Sequence, residues 1–275
     1  MTLSFGTMAG ESLHAQPVPI AAPSLTYADA ADLTLQAPVI AHVRVAKASR
    51  LKGADAAGVP AGSTRFYVEA DVLSLIRGAN GIQTRVRYLA DLRNDTGGRA
   101  PKLRKKDEYL IFATAEGGRP GEVRLVAPDA QVRHSAAEAD RVRAILREAN
   151  ARDAAPRITG IGRAFHVPGS LPGESETQFF LMGADNRPLS ISVLRRPGEQ
   201  PRWAVSVTEI VDESATAPRP DTLLWYRLAC SLPASLPQQS FAEADAATIP
   251  AIRADYNLIK MSLGPCTRTR TRTAR

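Results

Sequence analysis

Aromatic side chains make up only 5% of the 275 residues, so any core this chain builds must be aliphatic. Cysteine occurs twice, at Cys230 and Cys266, and without a third Cys or a nearby His the pair cannot complete a tetrahedral zinc site. No run of roughly 18 or more apolar residues exists, which excludes a membrane-spanning helix. There is also no Walker loop, no His-Glu-x-x-His and no Gly-x-Ser-x-Gly, so three large enzyme classes lose their usual signature. Gly160-Ile-Gly162-Arg-Ala-Phe165 opens like a dinucleotide fingerprint, but Phe165 stands where the third Gly belongs and the stretch leads into a strand instead of a helix. No cofactor is expected. The segment up to Ala22 has no Lys or Arg, and so lacks the basic start of a secretory signal. Yet Leu13-His-Ala-Gln-Pro17 and the Pro/Ala stretch after it resemble a cleavage site followed by a mature N-terminus.

What is present fits a globular protein. Hydrophobic residues reach 44% and charged residues 23%, while 19 Gly and 20 Pro favour short strands and turns over a helical bundle. The length allows one large or two medium domains. Of the net charge of +7, four units come from Arg268, Arg270, Arg272 and Arg275, so the basic balance owes much to the terminus. A Thr/Arg alternation has no apolar face to bury, and residues 267–275 are expected to form a disordered, solvated tail. If the chain is exported to the periplasm or beyond the cell, Cys230 and Cys266 read as one disulfide; the alternative is two unrelated thiols in the cytoplasm.

Read along the chain, residues 1–25 form a disordered or remnant signal segment. Residues 24–36 carry a short helical pattern ended by Pro38. Val39, Ala41, Val43 and Val45 then alternate with Ile40, His42, Arg44 and Ala46, the period of a half-buried strand. Two more dyad runs follow, Phe66/Val68/Ala70/Val72 and Val86/Tyr88/Ala90/Leu92. A turn that pairs Ile76 with Ile82 makes them a hairpin with Val72 opposite Val86, Val68 opposite Ala90 and Asp71 opposite Arg87. Residues 95–106 are a basic loop, and 109–114 and 123–127 are further strands. Ser135 with Glu138 is a capping box opening a helix that has Val142, Ile145, Leu146 and Ala149 on one stripe. That closes a unit at 26–153. The second unit, 157–266, has four strand patterns at 157–166, 177–182, 189–194 and 203–211 with Pro/Gly turns, which predict an antiparallel sheet. A helix capped by Asp221 follows, then a helical stretch at 240–261 interrupted by Pro250. The fold class is therefore α+β and β-rich.

Candidate chemistry is thin. His14, His42, His134 and His166 are scattered, and neither His42 nor His134 has a partner at metal-ligand spacing along the chain. Glu69 and Asp71 share a strand face, but the Arg residues of the paired strand make cross-strand ion pairs the simpler reading. The densest basic cluster, Lys102, Arg104, Lys105 and Lys106, is a candidate for phosphate contacts, with few aromatics near it for base stacking. A hydrolase would need a site assembled in space from His166, Asp185 and a Ser.

The order helix, strand from Pro38-Val-Ile-Ala, long strand Tyr67-Val-Glu-Ala-Asp-Val-Leu-Ser-Leu-Ile-Arg-Gly78, further strand, then Leu103-Arg-Lys-Lys-Asp-Glu-Tyr-Leu-Ile-Phe112 resembles the netrin-like domain of tissue inhibitors of metalloproteinases and some bacterial envelope proteins. The resemblance covers residues 26–130 and implies a small closed barrel of the oligonucleotide/oligosaccharide-binding (OB) type. Lys106-Asp107 stands where related sequences favour Gly before the last strand, and the cysteines that anchor the inhibitor members are absent, so no inhibitory role carries over. The expectation is a non-enzymatic, exported envelope protein that binds a protein or surface component. Two alternatives stay open, a nucleic-acid-binding OB-type protein and the hydrolase.

Overall fold

The computed structural model describes residues 25–207 and 216–270. The expected signal remnant up to residue 24, the strand pattern at 208–211 and the last five residues lie outside the described residues. Helix α1 (Tyr27–Gln36) starts at Thr26, whose hydroxyl accepts the Asp29 N–H at 3.1 Å. It stops where Pro38 forbids another helical turn. Strands β1 (Val39–Arg50), β2 (Ser63–Arg77), β3 (Arg85–Arg93), β4 (Glu108–Ala115), β5 (Val123–Leu125) and β6 (Gln131–Arg133) form one antiparallel sheet in the order β3-β2-β1-β4-β5, with β6 also on β4. Helix α2 (Ala136–Asn150) follows, then a four-stranded antiparallel meander, β7 (Ile158–Pro168), β8 (Ser175–Gly183), β9 (Leu189–Arg195) and β10 (Arg202–Ser206). Helices α3 (Leu223–Ala229) and α4 (Ile249–Leu263) complete the described chain. The α+β class and the antiparallel second sheet are as the dyad patterns predict.

The first sheet does not close into a barrel. Its outer strands β3 and β5 meet only through a parallel bridge between Arg87 and Glu122, supported by Arg87 N–H to the Gly121 carbonyl and Asp91 N–H to the Pro128 carbonyl, both 2.8 Å. With three residues, β5 is too short to carry a ladder on both edges. Valine, isoleucine and alanine side chains fill its core side, among them Val43, Val68, Ala70, Val86 and Ile111, all at 0% exposure.

The β2–β3 hairpin forms with the expected faces but a register displaced by two residues. Ala70 lies opposite Val86, Val68 opposite Tyr88 and Asp71 opposite Arg85. Because side-chain direction repeats every two residues, a two-residue slip keeps every apolar group inside and changes only which charges meet outside. The cause is the turn, which is longer than the pairing of Ile76 with Ile82 allows: the upper half of β2 turns to β1 instead, setting Leu75 opposite Ala41.

Other differences are local. Ser135 caps α2 as expected, accepting the Glu138 N–H at 3.2 Å, but the Glu138 carboxylate turns to Arg141 at 3.0 Å, completing only half of a capping box. The cap of α3 is Thr222, not Asp221, which sits in a left-handed conformation at φ 58°. Pro250 opens α4 instead of interrupting a helix, since the first turn needs no proline N–H. Gly160 lies inside β7 beside the Met182 methyl of β8, not at a turn into a helix as a dinucleotide fingerprint requires.

The two sheets do not own separate cores. Tyr27, Ala30 and Ala31 of α1 and Ile145 of α2 pack with β7–β9, α3 and α4, while Leu33 of α1 and Ala139 and Val142 of α2 pack with β1–β4. The small alanines let α1 lie between both. The division near residue 154 thus separates the sheets, while the two helices of the first unit join their cores.

Cys230, at the end of α3, and Cys266, just past α4, form a disulfide with Cα atoms 5.1 Å apart. Closing this 36-residue loop should hold the helical layer by roughly 3–4 kcal/mol. The double variant Cys230→Ala/Cys266→Ala is expected to lose that amount in urea unfolding, and a loss below about 1 kcal/mol would contradict it. Lys106 holds φ 76° just before β4, a conformation that disfavours a side chain bearing Cβ. Lys106→Gly should therefore raise stability by about 1 kcal/mol, read from the shift of the denaturation midpoint.

A candidate arginine-lined groove

A groove of about 1800 Å³ runs between the exposed face of β2–β3, the open seam toward β5, and the helical side formed by α1, α3 and the C-terminal segment. Arg65 and Tyr67 of β2 and Arg87 and Leu89 of β3 come to it because they alternate with the core residues Phe66, Val68, Val86 and Tyr88. Arg157, just before β7, and Tyr226 and Arg227 of α3 face them from the other side.

Every carboxylate lining this groove is engaged. Asp91 is buried and takes Arg65 in a two-pronged contact at 2.7 and 2.8 Å. Glu116 pairs with Arg124 at 2.8 Å and Glu122 with Arg119 at 3.3 Å. Asp29 and Asp32 of α1, 1% and 9% exposed, are held by the C-terminal segment. Thr269 donates to Asp29 from its backbone N–H at 2.8 Å and its hydroxyl at 2.9 Å, and Arg268 Nε donates to Asp32 at 2.6 Å. Tyr226 also donates to Asp32, at 2.5 Å; burial first and this carboxylate second push its hydroxyl up to about 12. The bond to Asp32 likewise raises the Arg268 guanidinium above its ordinary value.

Residues 267–270 are therefore an ordered strap across α1, not the start of a solvated tail. The physical reason is that two carboxylates buried between two cores require hydrogen-bond donors or a counter-charge, and α1 contains no base of its own. Arg270 extends the strap by an ion pair with Asp129.

Three guanidiniums of the groove have no carboxylate partner among the described residues: Arg87, Arg157 and Arg227. The hairpin register sets Arg87 opposite Glu69, but that carboxylate lies 3.8 Å from Lys47, while Asp71 goes to Arg85 at 2.7 Å. Glu69 and Asp71 are thus ion-paired surface groups. Arg227 lies over the Tyr226 ring, and its Nε is buried without a hydrogen-bond partner. Burial first, then neighbouring Arg157, lowers its pKa from the ordinary arginine value.

The sequence candidates fare differently. Lys102, Arg104, Lys105 and Lys106 sit exposed on the loop before β4 and none lines the groove. His166 and Asp185 do not meet: β8 separates their levels by about six residues, roughly 20 Å. His166 instead hydrogen-bonds Thr177 at 2.7 Å, and Thr177 donates to the buried Asp255 at 2.5 Å, which Arg195 neutralises. His42 and His134, which lack any partner along the chain, come together around Glu108. His42 Nε2 is 2.8 Å and His134 Nδ1 3.9 Å from Glu108 Oε2, and the rings stack at 3.6 Å. Arg44 bonds Oε1 of the same carboxylate and, with His42, holds it below the usual carboxylate range; burial and His42 lower His134.

Removing Arg268 would leave Asp32 buried with only the tyrosine hydroxyl and its remaining contacts. Arg268→Met is expected to cost about 3 kcal/mol of unfolding free energy, and Arg119→Met, which removes a solvent-exposed ion pair, less than about 1. Equal small losses in both would mean the strap carries no load. No family model matches the chain, and a search of curated proteins finds no match either.

Proposed function

We propose that this chain is a non-enzymatic binding protein of the cell envelope that takes an acidic segment of a partner protein or surface component into the groove between its OB-like first sheet and its helical layer. The observation that carries the reading is the unmatched charge. Arg87, Arg157 and Arg227 converge on one groove in which every acid is already used. Arg227 is part-buried with its Nε unpartnered, a cost that a ligand's negative charge would relieve, and Arg87 and Arg157 stand exposed beside it. Tyr67 and Leu89, the latter 46% exposed, supply an apolar floor beside the cations.

The sheet order supports the OB-like part of this reading. In β3-β2-β1-β4-β5 the two outer strands approach in parallel, and the groove floor is the exposed face of β2–β3, where OB folds bind their ligands. The disulfide favours an oxidising compartment. No helix among the described residues is long and apolar enough to cross a membrane. An oxidising compartment is a poor place to meet nucleic acid, which ranks that reading second.

Fluorescence anisotropy with a labelled oligoglutamate and an oligothymidylate of equal charge separates the two. Saturable binding of the peptide is expected, weakened about tenfold for each of Arg157→Gln and Arg227→Gln, as for the loss of one charge-assisted hydrogen bond. Arg227→Met should weaken binding while leaving the melting midpoint unchanged or higher, because it removes a buried donor that has no partner. Peptide binding indifferent to both arginines overturns the groove assignment. Tighter binding of the oligothymidylate with a steep salt dependence transfers the function to nucleic acid.

A further inference from the structure

Away from the groove, three side chains of metal-ligating type meet on the outer face of the first sheet. His42 stands on β1, Glu108 at the start of β4 and His134 one residue past β6. β1 and β6 flank β4, with Arg44 opposite Glu108 and Arg133 opposite Tyr109, so the sheet itself brings the three together from distant parts of the sequence. Their nearest nitrogen and oxygen atoms all lie within 4.8 Å of one another, and all three residues are partly exposed. Around a tetrahedral zinc ion, with bonds of roughly 2.0–2.1 Å, ligand atoms sit about 3.4 Å apart. The two rings, now stacked 10° from parallel, would have to turn out of their stack to bring the ion into the plane of each.

We propose that His42, Glu108 and His134 form a binding site for a divalent transition metal of the zinc class, with a fourth position open to water or to a ligand. The donor set selects the metal. Two imidazole nitrogens and one carboxylate oxygen suit Zn²⁺, Ni²⁺ and Cu²⁺, whereas Ca²⁺ and Mg²⁺ require more oxygen ligands than this cluster offers. Arg44 occupies Oε1 of Glu108 at 2.9 Å and leaves Oε2 turned to both histidines, the orienting contact that metal-ligating carboxylates commonly have. The same arginine, with Arg143 near His134, removes the net negative charge that a hard cation would need. The site is independent of the anion-binding reading, since none of its three residues lines the groove.

Tag-free protein with its disulfide intact, titrated with Zn²⁺ against a chromophoric chelator, should take up one equivalent, and Co²⁺ should develop the visible absorption of a nitrogen- and oxygen-ligated ion. His42→Ala and His134→Ala should each weaken Zn²⁺ at least tenfold, with His14→Ala and His166→Ala unchanged and excess Mg²⁺ or Ca²⁺ without effect. If an alanine variant folds poorly, His134→Asn serves in its place: Zn²⁺ should raise the melting midpoint of the wild type and not of this variant. Absence of saturable Zn²⁺ uptake overturns the site, as does uptake that survives in the His42→Ala/His134→Ala double variant.

Discussion

Two carboxylates on a ten-residue helix organise this molecule. Asp29 and Asp32 lie on α1, whose other faces feed both hydrophobic cores, so they are buried by the same packing that joins the two sheets. Left alone, such charges would oppose the assembly. The C-terminal strap supplies hydroxyl, backbone and guanidinium donors to them, while α3 adds the Tyr226 hydroxyl to Asp32. The end of the chain is thereby tied to its first helix. The disulfide then fixes the start of that strap to α3, so α1, α3 and the terminus behave as one block.

That block forms one wall of the groove, and this placement has a consequence for charge. The strap arginines spend themselves on Asp32 and Asp129, leaving Arg157 and Arg227 on the adjacent wall without acids. Across from them the open seam of the first sheet adds Arg87. A closed barrel with a full β3–β5 ladder would present a continuous wall here; the short β5 leaves backbone and side chains of both edges facing the groove. The groove and the incomplete sheet closure are the same structural fact.

The outer face of the sheet shows how strand order creates chemistry that spacing along the chain conceals. Ligands at positions 42, 108 and 134 have no motif-like separation, yet neighbouring strands set them side by side. Nothing in the sequence singled out the carboxylates of α1: two acids in an otherwise Ala- and Leu-rich helix without a base find their donors in the C-terminal segment only once the chain is folded. The basic loop at 102–106, by contrast, carries its charge into solvent because Lys106 and its neighbours serve only to lead the chain into β4.

Alternation of apolar and polar residues, turn chemistry and caps act over a few residues, and they determined from the sequence alone the two sets of strands, the faces of the β2–β3 hairpin and the start of α2. Hairpin register was beyond them, because a displacement of two residues preserves every apolar position and changes only the partners of surface charges. So were sheet closure, the shared position of α1 and α2, the ordered strap and the His42–Glu108–His134 cluster. Each of these depends on which distant segments become neighbours, a choice made by the sum of burial and charge compensation over the whole chain and therefore decided only in three dimensions.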